Sequence, residues 1–223
     1  MSEPEPPDLD ALCSILCASF IEALPVSGVA LSAFSGSDRE TTLCASDALA
    51  ARLDELQFDL GEGPRWEAAS TRSPVLLPYA RSMTHDRWPV FGMALSGTDV
   101  QALFVFPLLV GAMDIGVVEL YSTTPGELTE SDRATARSLA DRAAWRLLRQ
   151  ILVPESGDDP QAGLAPSRRE IHQATGMVLA QTGGTAAEAL LLLRAHAFAN
   201  GRSVRETSED VLGRRLDFTP PTT

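Results

Sequence analysis

The chain has 223 residues, with 30 acidic and 18 basic side chains, a net charge of −12 and 44% apolar residues. That length holds one large domain or two small ones, at roughly 100–200 residues each, and the apolar share excludes a disordered acidic tail. The acidic average excludes a protein that coats phosphate with its whole surface, and because every basic residue is arginine, amine chemistry such as a Schiff base or a P-loop lysine is excluded too.

The start, MSEPEPPDLD, is acidic and proline-rich, the reverse of a secretory signal. Leu9 to Leu24 has helical spacing and stops at Pro25. SGVALSAFSG alternates as a strand, GSD makes a turn and RETTLCASD runs back. ALAARLDELQF reads as a helix; after it Gly61 and Gly63 permit a tight turn and Pro64 can open a new helix. VLLP at 75–78 is a short buried strand, and MTHDRWPVFGMALSG a partly helical crossover. QALFVFPLLV and DIGVVELYS are apolar strands joined at GAMD by a hairpin. Pro107, Gly111, Asp114 and Gly116 break this apolar stretch, so it does not span a bilayer as a helix.

A long helix begins near Leu128, with Thr129 as N-cap and Asp132 completing a weak capping box. Ala136, Ala140, Ala144, Leu147 and Ile151 fall near heptad spacing, with Leu148 beside them. This stripe suits either a helix pair joining two subunits or packing on its own sheet, and both readings stay open. The order α-β-β-α-α-β-α-β-β-α predicts an α+β fold, an antiparallel sheet flanked by helices.

Pro154 ends the long helix, and ESGDDPQAGLAPS has linker composition. Three short helices follow. Ser167 is placed to cap the first, which Gly183-Gly184 close. Thr185 and Glu188 form a capping box for the second, closed by Asn200-Gly201, and Ser203 and Glu206 form one for the third. The boundaries read as a tail at 1–10, a first domain at 11–153 that includes the long helix, a linker at 154–165, a helical module at 166–218 and a tail at 219–223.

Charge divides along the same line. Residues 1–165 carry 11 Arg against 24 acids, a net of −13, whereas residues 166–223 carry 7 Arg against 6 acids, a net of +1. Two surfaces with two partners are expected. Cys13, Cys17 and Cys44 are too few for a disulfide framework. Cys13 and Cys17 share a helix face with apolar neighbours, which predicts buried, reduced thiols and a cytoplasmic protein. No metal or cofactor set, nucleophile elbow or HExxH motif is present, so no enzyme is expected.

IHQATGMVLAQ, followed by EALLLLRAHAFANGRSVRETSEDVLGRRLDF, closely resembles the ANTAR domain, a three-helix RNA-binding module of bacterial transcription antiterminators. Ser208 stands where that family usually carries Ala. In the first half, LGEGP at 60–64, Glu67-Ala68, Arg87-Trp88-Pro89-Val90-Phe91, FVFPLLVG and IGVVELYS together resemble a GAF domain of the kind joined to ANTAR in actinobacteria. The more frequent ANTAR partner, a phosphorylatable receiver, needs a lysine and an acidic pair after its first strand. This chain has no lysine and carries Phe34-Ser35-Gly36 there.

The resemblance implies a homodimer that holds paired hairpins in a nascent leader RNA, with the GAF half receiving a small-molecule or protein input. Arginine forks stack on bases and grip phosphate, which makes Arg168, Arg169, Arg194, Arg202 and Arg205 the candidate RNA contacts. Ser203 joins them with the free amides of the third helix, an anion site, and Gln173 as a reader of base edges. His196 and Phe198 read as packing residues. His85 is the one histidine near the expected GAF pocket, where a structural or surface role outweighs haem ligation. The alternative is a protein-interaction or ligand-sensing regulator without RNA binding, with a DNA-reading helical module as a lesser variant.

Overall fold

The computed structural model of the chain describes residues 9–34, 40–83, 86–152 and 168–219. The GSD turn, His85 and Ser167 lie outside the described residues. Helix α1 (Leu9–Ala23) leads into strands β1 (Gly28–Phe34) and β2 (Glu40–Ala45). Then come α2 (Ala48–Leu60), α3 (Pro64–Thr71), β3 (Val75–Leu77), α4 (Ala80–Met83) and α5 (Pro89–Ser96). β4 (Ala102–Val110) and β5 (Met113–Ser122) form the expected hairpin, and α6 (Glu130–Leu152) closes the domain.

The five strands form one sheet in the order β2-β1-β5-β4-β3, with every neighbouring pair antiparallel. The α+β expectation is met. Strand alternation divides the core in two, since successive side chains point to opposite faces. Leu31, Phe104, Phe106, Val118 and Leu120 face α1 and α6. Ala30, Leu103, Val105, Val117 and Tyr121 face α2, α3 and α5. The β1–β5 pairing is close because Gly116 opposes Ala33: a Cβ at Gly116 would lie 2.0 Å from the Ser32 carbonyl oxygen.

Thr129 and Asp132 form their box, with the Asp132 amide donating to Thr129 Oγ1 at 3.1 Å and the Thr129 amide to Asp132 Oδ2 at 3.0 Å. On α6, Ala136, Ala140, Ala144, Leu147 and Leu148 are all buried against the domain's own sheet and α1. Of the two readings of the heptad stripe, packing within the chain accounts for this face. Cys13 and Cys17 are buried, and Cys17 Sγ lies 2.9 Å from Cys44 Sγ. Contacts with the Cys13 and Cys17 thiols, and then burial, push the Cys44 thiol up and keep it protonated.

The C-terminal module consists of α7 (Arg169–Thr182), α8 (Ala186–Ala199) and α9 (Val204–Leu212). Both predicted capping boxes are complete, at Thr185/Glu188 and Ser203/Glu206. Ile171, Ala174, Val178, Ala189, Leu193, Ala197, Val204 and Val211 form its core. Phe198 was expected among them but is 65% exposed. The buried stripe of α8 is Ala189, Leu193 and Ala197, and the next residue is turned about 100° away from it. Ser208 is fully buried, and its hydroxyl donates to the Val204 carbonyl of its own helix at 2.7 Å.

Candidate nucleic-acid interface

The candidate arginines are sorted by what lies beside them, and α2 decides most of the sorting. Asp47 caps α2 by accepting from the amides of Leu49 and Ala50. Leu53 and Leu56 pack on the sheet side, while Asp54, Glu55, Phe58 and Asp59 reach toward the C-terminal module. Positions 54 and 58, like 55 and 59, are four residues apart and so share a stripe. Phe58 is 3% exposed and lies in the core cluster of the C-terminal helices, with Trp66 packed alongside. The first domain therefore supplies an aromatic side chain to the core of the second.

Three candidate arginines meet this stripe. Arg168 is buried, with its guanidinium 4.0 Å over the Phe58 ring and Nη2 donating to Asp54 Oδ2 at 2.6 Å. Arg194 lies 5.0 Å from the Phe58 centroid and 5.7 Å from that of Trp66. It runs beside Gly61, which ends α2 in the left-handed region at φ 65°; a Cβ there would lie 3.1 Å from Arg194 Nη1. Arg205 Nε is 3.7 Å from Glu55 Oε1.

The anion site expected at the start of α9 is served from within the chain. The Val204 amide donates to Asp59 Oδ2 at 3.3 Å, and the Ser203 amide to Glu206 Oε2 at 2.9 Å. Arg202 binds Asp210 and donates to the Glu206 carbonyl. Arg169 and Gln173 are exposed on α7, one helical turn apart. His196 is half-buried and meets Phe218 edge-on, with centroids 5.7 Å apart, in the packing role expected of it.

Behind the stripe lies a buried ionic cluster. Gly63, at φ 133°, lets the chain turn so that the Arg65 amide donates to Gln57 Oε1 at 2.9 Å. Arg65 is fully buried between Asp54, Ser32 and Glu119, with Nε 2.7 Å from Glu119 Oε1. Gln57 donates to the other Glu119 oxygen at 2.6 Å. Burial alone would raise the Asp54 carboxyl, but Arg65, Arg168 and the Ser32 and Thr42 hydroxyls overcome it and hold it at about 2. Asp59 goes the other way: burial, opposed by the Val204 amide and aided by Glu55, raises it to about 6. A cleft of about 320 Å³ opens along this seam, lined among others by Thr42, Arg52, Glu55, Asp59, Arg168 and Arg205.

The remaining motifs of the first domain hold its own loops. Glu62 of LGEGP accepts from the Phe91 amide at 2.6 Å, at the start of α5. Glu67 pairs with Arg87, whose guanidinium lies 4.5 Å over Trp88. These contacts join LGEGP to RWPVF across the crossover, and the profile of the GAF domain matches residues 7–145. The chain belongs to the GAF family. The ANTAR profile matches residues 165–212, which contain all seven candidate RNA contacts.

The GAF half is similar to solved structures at identities that show the fold alone. The GAF/HD-domain protein of Geobacter sulfurreducens aligns with a TM-score of 0.54 and 16% identity, over 69% of this chain and 100% of that one. The GAF domains of phosphoenolpyruvate-protein phosphotransferases align with TM-scores of 0.52. The one from Acinetobacter has 12% identity over 68% of this chain and 89% of that one. The one from Coxiella burnetii has 17% identity over 64% and 84%. No protein of curated function matches the chain. Among the described residues of this GAF–ANTAR chain, no single helix is long and apolar enough to cross a membrane. GAF and ANTAR domains are regulatory domains, and the ANTAR family comprises RNA-binding antitermination modules.

The α2 stripe was missed in the sequence. Its signal was present in D-E-L-Q-F-D, which sets three carboxylates and a phenylalanine on one helix opposite an arginine-bearing module. An acidic helix face reads by default as solvated.

Proposed function

We propose that this protein is a non-enzymatic cytoplasmic regulator of transcription antitermination. Its ANTAR module, as a homodimer, binds paired hairpins in nascent leader RNA, and its GAF domain receives the controlling signal. The observation that carries this reading is the ANTAR match over residues 165–212, with all seven candidate contacts inside it. A net charge of +1 on residues 166–223 makes one copy a weak binder, and two copies on tandem hairpins gain from effective concentration. The domain limits at 11–153 and 166–218 are part of the same reading.

The test is sequencing of RNA crosslinked to the protein in its native cell, followed by binding to the recovered RNA across a salt series. Enriched hairpin leaders, bound with a steep salt dependence and in preference to duplex DNA, support the proposal. Absence of enriched hairpins favours a regulator that acts through proteins alone.

A further inference from the structure

Three of the five candidate arginines, Arg168, Arg194 and Arg205, face α2 of the GAF domain. What α2 offers them has the chemistry of RNA. An RNA loop presents anionic oxygens to guanidinium forks and flat rings for stacking. Here Asp54 and Glu55 take the place of phosphate toward Arg168 and Arg205, and the Phe58 ring lies beneath Arg168 and beside Arg194. Asp59 occupies the N-terminus of α9 through the Val204 amide, where a helix start favours a phosphate. One helix thus supplies both kinds of partner to the same set of groups.

Resting on the reading of the ANTAR module as RNA-binding, we propose that α2 is an internal competitor of RNA, and that the docked arrangement is the closed, low-affinity state of the protein. RNA and α2 cannot hold Arg168, Arg194 and the start of α9 together. Apparent affinity is therefore reduced by the fraction of molecules in which the module is undocked. Arg169 and Gln173, exposed in the docked state, are the groups through which a hairpin makes first contact.

The experiment uses the full chain and a pool of labelled two-hairpin RNAs with randomised loops. Glu55→Gln/Phe58→Leu removes the carboxylate beside Arg205 and the ring beneath Arg168 from the seam. Asp86→Asn removes one carboxylate from an exposed position elsewhere, which controls for net charge. Glu55→Gln alone covers the case in which the double variant folds poorly. The seam variants should bind the pool on the order of tenfold more tightly than the control. Saturating RNA should also increase hydrogen exchange along 51–59 of the wild type. Seam variants that bind no better than the control, or α2 exchange that RNA leaves unchanged, overturn the inference while leaving RNA binding intact. If neither wild type nor variants bind the pool, the RNA-binding reading fails and the inference falls with it.

Discussion

Arg168 places Nη2 2.6 Å from Oδ2 of Asp54 across 114 residues of sequence. The other Asp54 oxygen is taken by Arg65, which also pairs with Glu119, so two carboxylates and two guanidinium groups from two domains share one buried cluster. With its carboxyl held at about 2, Asp54 stays ionised throughout the neutral range. The stability it contributes is present above the ordinary carboxylate pKa and is lost only as pH falls toward 2. Asp54→Asn keeps the shape but removes one of the two carboxylates that balance the buried arginines, leaving an uncompensated positive charge, and should cost about 3–5 kcal/mol in urea unfolding at pH 7. A loss below about 1 kcal/mol, the range of an exposed pair, would mean that water reaches this cluster.

Phe58 belongs by sequence to α2 and by packing to the C-terminal helices. Phe58→Ala should destabilise the chain by about 3–5 kcal/mol, the usual range for a buried phenylalanine. The loss should fall unevenly. Hydrogen exchange in 169–212 should rise toward that of a separately opening unit, while β4 and β5, whose core is elsewhere, keep their protection. Equal deprotection of both domains would contradict the assignment of Phe58 to the second core.

The two domains were open to sequence reading to different degrees for physical reasons. Capping boxes at Thr185/Glu188 and Ser203/Glu206 are local, with box and stop lying within one helix, and both formed. The hairpin at GAMD is equally local. The β1–β5 pairing joins residues about ninety apart in the chain, and no local pattern encodes it. The site follows the same rule. The module's arginines were visible by type, but which of them meet protein was set by α2, more than a hundred residues earlier. Phe198 shows the limit within one helix, where an apolar residue beside the buried stripe turns out to solvent.

Asp59 gives the docked state a pH dependence of defined sign. Its pKa in the folded chain, about 6, lies above the ordinary 3.8, so folding takes up a proton between these values. Above pH 6 the carboxylate is held charged in a poorly solvated place, facing Glu55 on its own helix, Arg52 and Arg168, and the Val204 amide. Stability should rise by about 1–2 kcal/mol between pH 7.5 and pH 5 on this account. Urea titrations of wild type and Asp59→Asn at both pH values isolate the effect, because the histidines are common to both. The same pH response in Asp59→Asn would assign it to other groups.

Arg169 and Arg205 should differ in how their loss is read by RNA. Arg169 is exposed, so Arg169→Ala leaves the seam with α2 in place. It should weaken hairpin binding by about 1–3 kcal/mol if it reads a base, or reduce the salt slope by about one if it meets a phosphate. Arg205 also faces Glu55, so on the proposed function Arg205→Ala removes a candidate RNA contact and loosens the docked state together, and these oppose each other in the measured affinity. In the Glu55→Gln background the second effect is already spent. Arg205→Ala should therefore cost more affinity there than in the wild type, a coupling that a double-mutant cycle on filter binding reads directly. Equal costs in both backgrounds would mean that the Arg205–Glu55 pair has no part in holding the module closed.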